Sequence, residues 1–81
     1  MMYYKIEFIA PDGVIETFYK AVQYGDKLSV MRSYKQEFTR WARERWWQCY
    51  DNYYADDMRG FINNCNMKVT SITLSEYAKN A

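Results

Sequence analysis

The chain has no histidine, and only two of its 81 residues are cysteines. Histidine is the commonest general base in enzymes, because its pKa lies close to the working pH. Two cysteines without histidine are too few for a zinc site or a disulfide scaffold. We expect Cys49 and Cys65 to be small buried apolar side chains, with a reversible disulfide between them as the alternative. The composition therefore predicts a protein that is not an enzyme and that holds no metal ion or cofactor.

The sequence also lacks a long apolar run and a glycine-rich loop. No apolar run approaches the roughly 20 residues that cross a bilayer, and the opening MMYYKIEF mixes a base with an acid, unlike a signal peptide. The three glycines are scattered, which excludes a phosphate-binding loop. Asp56 and Asp57 are neighbours and would point about 100° apart on a helix, unlike a converging catalytic pair. These absences predict a cytoplasmic protein without membrane contact or catalytic carboxylates.

Aromatic residues, by contrast, are abundant. Nine Tyr, four Phe and three Trp make up 20% of a chain that is 49% hydrophobic and 26% charged. A domain of this length buries only roughly 60% of the surface that its unfolded chain exposes, and each aromatic ring can bury about 150–250 Å². We therefore predict a single domain, residues 1–81, with a small aromatic core.

The first 22 residues predict a β-hairpin. The stretch MYYKIEFIA alternates as a half-buried strand does, and Pro11 and Gly13 then favour a turn. The stretch VIETFYKAV supplies a second strand. One face of the first strand is predicted to carry Met2, Tyr4, Ile6 and Phe8.

A helix is predicted from near Leu28 to about residue 50. YGDK at 24–27 ends the hairpin, and Asp26 or Ser29 can serve as the N-cap. Helical spacing then gives one apolar stripe that faces the core. The stripe comprises Met31, Tyr34, Phe38, Trp41, Ala42 and Cys49, with Trp46 and Tyr53 at its edge.

The remaining residues predict a second helix and a third strand. Asp51 or Asn52 can cap a new helix, although one sharply bent helix is the alternative. Its apolar face would comprise Ala55, Met58, Phe61, Ile62 and Cys65. MKVTSITL is rich in β-branched residues and predicts a strand, whereas SEYAKNA is expected to fray. The predicted fold is α+β, a small antiparallel sheet (hairpin plus C-terminal strand) packed on one or two helices in the order ββααβ, with the strand order left open.

The first predicted helix also has a face that cannot lie in the core. If Phe38 is at the centre of the buried stripe, the 100° step sends Trp47 to the opposite side. Between Lys27 and Trp47 there are six basic and two acidic residues, a local charge of +4. Arg45 falls near the middle of the stripe, so it either snorkels out or pairs with an acid. The candidate acids are Glu7, Glu16 and Asp51. The candidate partner-binding face comprises Arg32, Gln36, Arg40, Arg43, Trp47, Tyr50 and Tyr54.

This cationic and aromatic face has four interpretations. Trp, Tyr and Arg are the residues enriched in protein-binding hot spots, which favours a larger protein or protein complex as the partner. Single-stranded nucleic acid is the alternative, because bases stack on rings and arginines contact phosphates. The face could also form a homodimer, or be a merely solvated face in which Glu37 and Glu44 pair with Arg40.

In size, and in its layout of a hairpin, helices and the late strand MKVTSITL, the chain resembles small bacteriophage proteins that disable host defences, the anti-CRISPR proteins among them. The resemblance implies a small inhibitor that blocks a larger protein machine stoichiometrically and without chemistry. It identifies no particular residues, so the candidate face depends on helical spacing alone.

Overall fold

The structure is a computed structural model that describes residues 1–48 and 58–81. Three strands form one antiparallel sheet, and the described helices pack against it. The elements are β1 Met2–Ile9, β2 Ile15–Val22, α1 Lys27–Ser33, α2 Lys35–Gln48, α3 Met58–Asn64, β3 Asn66–Ile72 and α4 Leu74–Asn80. The predicted α+β class is confirmed, with a further break in the first helix and a further helix at the end.

The sheet is built around β1, in the strand order β2-β1-β3. Ile6 lies opposite Phe18 of β2 and Val69 of β3, and both pairings are antiparallel. The alternation of β1 explains its central place, because Tyr4, Ile6 and Phe8 are all buried on one face. Strand β3, from the C-terminal part of the sequence, thus adds to the hairpin formed by β1 and β2.

The hairpin turn lies where the sequence predicts it. Gly13 has φ = +90°, a conformation that glycine adopts without steric cost. Its N–H donates to the carbonyl of Ala10 at 3.0 Å, and the Asp12 carboxylate accepts from the N–H of Val14 at 3.3 Å. The chain therefore reverses directly from β1 into β2.

Of the two predicted N-caps, Asp26 is the one that begins α1. Its carboxylate accepts a hydrogen bond from the backbone N–H of Ser29 at 3.0 Å. Because this bond favours the charged form, it holds the pKa of Asp26 below its ordinary value.

The prediction of one unbroken helix from Leu28 to about residue 50 was wrong. The N–H of Tyr34 is shared between the carbonyls of Val30 and Met31, each at 3.2 Å, and α1 ends at Ser33. The Ser33 hydroxyl also donates to the Val30 carbonyl at 2.7 Å, a local bond of the kind that bends helices. The break is small, because the N–H of Phe38 still donates to the carbonyl of Tyr34 at 2.9 Å.

The core lies between the sheet and helices α1 to α3. Its buried residues are Tyr4, Ile6, Phe8, Ala10, Val30, Trp41, Ala42, Phe61 and Cys65. The predicted stripe is confirmed for Trp41 and Ala42, which are buried in this core. Tyr34, Phe38 and Trp46 are half-buried and pack against the core. Cys49 and Tyr53 lie outside the described residues.

The second predicted helix is present as α3, and its Phe61 is fully buried. Cys65, just beyond its end, is buried as expected. Met58, which the pattern assigned to the apolar face, is instead exposed at the first residue of the helix. The predicted caps Asp51 and Asn52, Ala55 and any bend at that point lie outside the described residues.

The prediction of a frayed C-terminus was also wrong, because residues 74–80 form α4. The Thr73 hydroxyl caps this helix by accepting from the N–H of Glu76 at 3.2 Å. Thr and Glu at this spacing match the first and last positions of a capping box. The Tyr77 ring packs on Tyr3, with centroids 5.0 Å apart, on the face of the sheet opposite Tyr4. The last helix therefore covers part of the face that α1 to α3 leave open.

The Thr73 cap can be tested by removing its hydroxyl. We expect Thr73→Ala to lower the free energy of unfolding by about 1 kcal/mol, because the N–H of Glu76 loses its acceptor. Ser75→Ala is the matched control on the same helix and should change it by less than about 0.5 kcal/mol. Urea unfolding followed by circular dichroism gives both values. Equal losses in the two variants would contradict the cap.

Candidate functional site

Helix α2 has one buried side and one exposed side. On the buried side, the ring centroid of Phe8 of β1 lies 5.2 Å from that of Phe38 and 5.6 Å from that of Trp41. A helix turns by about 100° per residue, so this packing directs the residues between them to solvent. The core contact therefore determines which side chains of α2 a partner could reach.

We call the exposed side of this helix the outer face of α2. It comprises Lys35, Gln36, Thr39, Arg40, Arg43, Glu44 and Trp47, all exposed. The Trp47 side chain is 66% exposed, whereas Trp41 is only 9% exposed. The Trp47 ring is tilted at 46° to that of Trp46, with centroids 5.6 Å apart. Since Trp46 packs on the core, it supports an indole that projects towards water.

Two adjoining grooves follow the outer face of α2. The first, which we call the polar groove, is lined by the polar and charged residues Lys35, Gln36, Thr39, Arg40, Arg43 and Glu44. The second, which we call the apolar groove, has a volume of about 360 Å³ and is lined by Arg43, Glu44, Trp46, Trp47, Gln48 and Met58. Arg43 and Glu44 border both grooves, so the surface is continuous along the helix. It carries three cations against one acid, with the aromatic rings at its C-terminal end.

The structure brings together four of the seven predicted face residues. Gln36, Arg40 and Arg43 line the polar groove, and Trp47 lies beside Arg43 in the second. Arg32 is exposed on α1, and it borders a different groove, with Phe38, Cys65 and Met67 among its neighbours. Lys35 borders both the Arg32 groove and the polar groove, so the two grooves adjoin. Tyr50 and Tyr54 lie outside the described residues.

Sequence reasoning missed several contributors to this surface, among them Lys35, Thr39 and Met58. Thr39 and Lys35 stand four and eight residues before Arg43, so helical spacing could have included them. Met58 could not have been found this way, because it belongs to α3 and comes beside Trp47 only through tertiary packing. The apolar groove is thus shared between two helices.

In residues 1–48 and 58–81, acids lie near the cations of the outer face without forming ion pairs with them. Glu16, Glu37 and Glu44 border a groove with Arg40. Within residues 1–48 and 58–81, however, neither Arg40 nor Arg43 forms an ion pair. The pairing of Arg40 with Glu37 and Glu44, on which the solvated-face interpretation depended, is therefore not observed in the described part of the chain.

Arg45 does not pair with either of the described acids that the sequence analysis proposed, Glu7 and Glu16. Its guanidinium binds the carboxylate of Asp12 at 2.6 Å, and it also donates to the side-chain oxygen of Gln48. Asp12 belongs to the hairpin turn, which folds back over the C-terminal half of α2. Both side chains are about one fifth exposed, at 19% and 22%. This ion pair fastens the turn to the helix.

In ranges 1–48 and 58–81, no group of three or more His, Cys, Asp or Glu could hold a metal ion. None of the helices described in those ranges has the length and apolar character needed to cross a membrane.

Comparisons with protein families, with curated proteins and with solved structures found no match to the chain. We therefore infer function from the outer face of α2.

The ion pair between Asp12 and Arg45 can be measured with a double-mutant cycle. From Asp12→Ala, Arg45→Ala and the double variant, we expect a coupling energy of about 1 kcal/mol in urea unfolding, because the pair is largely shielded from water. The control cycle combines Asp12→Ala with Arg43→Ala in place of Arg45→Ala, because Arg43 forms no ion pair in the described residues. A coupling energy near zero in both cycles would contradict the role of the pair.

Proposed function

We propose that the chain is a non-catalytic protein-binding module that contacts a larger protein or protein complex through the outer face of α2. The supporting observation is the exposure of Trp47, a large ring that is 66% exposed on a helix that buries Trp41. Tryptophan and arginine are the residues most enriched in binding hot spots. Arg43 lies directly beside this ring in the apolar groove.

The composition of the apolar groove fits the anatomy of a protein interface. Its aromatic and thioether side chains come from Trp46, Trp47 and Met58, and polar groups of Arg43 and Gln48 border it. Interfaces commonly have such an apolar centre with a polar rim. The cations along the helix favour a partner surface that carries acids around an apolar side chain.

The resemblance to bacteriophage anti-defence proteins extends this proposal. A small domain that offers one recognition face and binds without chemistry is suited to blocking a larger machine in the host cytoplasm. We therefore propose an inhibitor of the anti-CRISPR type, which would act stoichiometrically by covering a surface that its target needs.

The test is affinity capture from a host lysate with the tagged wild-type protein, Trp47→Ala and Tyr24→Ala. Tyr24 is the matched control, because its ring is also exposed but lies in the loop between β2 and α1. We expect wild type and Tyr24→Ala to retain the same protein after nuclease treatment, and Trp47→Ala to lose it. The dissociation constant of Trp47→Ala for this protein should be at least about tenfold higher than that of wild type, as for the removal of a hot-spot ring.

Retention of the same protein by Trp47→Ala would contradict the proposal. Circular dichroism of each variant shows that a loss of binding is not a loss of fold. Arg43→Glu adds a second test, since reversal of a charge in the face should weaken binding, whereas Lys79→Glu on α4 should not.

Single-stranded nucleic acid is the second candidate ligand, and one observation favours it. Lys35, Arg40 and Arg43 follow one side of α2 towards the exposed ring of Trp47, an order that suits phosphates beside a stacked base. This candidate requires capture to be lost on nuclease treatment. It also requires binding of a labelled single-stranded oligonucleotide to weaken steeply with salt, with Arg40→Ala lowering the slope by about 0.7.

A further inference from the structure

Strand β2 is an open edge of the sheet. It pairs with β1 on one side, and the described residues, 1–48 and 58–81, provide no strand on its other side. Its eight residues contain neither proline nor glycine, and residues 15–17 are all exposed. Native proteins usually shorten or block such an edge, because its free backbone groups can pair with another strand.

The charges of β2 are arranged symmetrically about Phe18. Glu16 and Lys20 each stand two residues from Phe18, so all three side chains lie on the same face of the strand. Both charged side chains are exposed, and in the described part of the chain neither forms an ion pair. Glu16 has Arg40 beside it only across a groove.

We propose that β2 pairs antiparallel with β2 of a second copy of this chain, with Phe18 on the two-fold axis. In this register Glu16 of each copy faces Lys20 of the other, which gives two opposite-charge pairs for each dimer. Cross-strand pairs of this kind stabilise antiparallel sheets. The two three-stranded sheets would then form one sheet of six strands.

The other pairs of this register are also compatible. Thr17 would face Tyr19, a pair of a β-branched and an aromatic residue, and Ile15 would face Ala21. Ile15 and the preceding Val14 are both exposed in the single chain. Both would be covered in the dimer, because Val14 would lie opposite Val22 of the second copy.

Only this register pairs both charges. The two sheets continue as one, with their core-facing sides on the same side, only if the two-fold axis is perpendicular to the sheet. One residue of β2 then lies on this axis, opposite the same residue of the second copy. Through Thr17, the axis would place Glu16 opposite Phe18, and through Tyr19 it would place Lys20 opposite Phe18. Through Glu16 or Lys20 themselves, it would bring like charges together, which is destabilising.

The opposite edge of the sheet does not offer the same match. Helix α1 packs against β3, and helix α4 packs against β1 and β2, so helix contacts do not distinguish the two edges. Lys68, however, is the only charged residue of β3. A two-fold pairing of β3 would therefore leave Lys68 without an acid, or would place it against itself. The β2 edge and the outer face of α2 use different residues, so this inference does not depend on the proposed function.

The experiment is a charge exchange followed by sedimentation equilibrium. We expect a wild-type dimer, and a dissociation constant raised roughly tenfold or more in both Glu16→Lys and Lys20→Glu, because two attractive pairs become two repulsive ones. The double variant Glu16→Lys/Lys20→Glu should restore the dimer, since the opposite charges then face each other again. Lys79→Glu on α4 is the control and should leave the mass unchanged.

A wild type that remains monomeric up to about 1 mM would overturn the proposal. So would a dimer that both single reversals leave intact, and its loss in Trp47→Ala would assign the interface to the outer face of α2 instead. Amide hydrogen exchange gives a second readout, because the outward N–H groups of β2 should become protected only as the protein concentration rises. Circular dichroism of each variant checks the fold.

Discussion

The ring of Phe8 is the contact on which the two layers of the domain depend. It is buried in the central strand, with its centroid 4.9 Å from Phe18 of the neighbouring strand. From the other layer it meets Tyr34, Phe38 and Trp41. Phe8 and the four rings around it bury a large apolar area in a chain too short for a larger core. The sheet and helix α2 are packed together at this cluster.

This constraint also produces the surface that we propose as functional. Once Phe38 and Trp41 face Phe8, helical geometry leaves the arginines of α2 and Trp47 on the other side. The ion pair of Arg45 with Asp12 then fastens the hairpin turn to the helix. The outer face of α2 is therefore supported from its inner side by packing and by this ion pair, which would lower the entropy that a partner has to remove on binding.

The sequence predicts well what depends on local periodicity. The alternation of β1 and the exposure of Arg40, Arg43 and Trp47 follow from steps of 180° or 100° along the chain. The turn at Gly13 follows from the local turn preferences of proline and glycine. The helix break at Tyr34 could not be predicted this way, because it depends on how Ser33 and Tyr34 bond to the preceding turn. Arg32, which the sequence analysis grouped with Arg40 and Arg43, borders the groove of Phe38, Cys65 and Met67 in the structure.

Tertiary contacts were beyond such reasoning. The approach of Asp12 to Arg45 and of Met58 to Trp47 joins residues far apart in sequence. The account is tested most directly by comparing the free energies of unfolding of Trp41→Ala and Trp47→Ala in urea. We expect a loss of about 3–5 kcal/mol for Trp41→Ala and of less than about 1 kcal/mol for Trp47→Ala. Comparable losses would mean that Trp47 also belongs to the core, and the proposed recognition face would then be wrong.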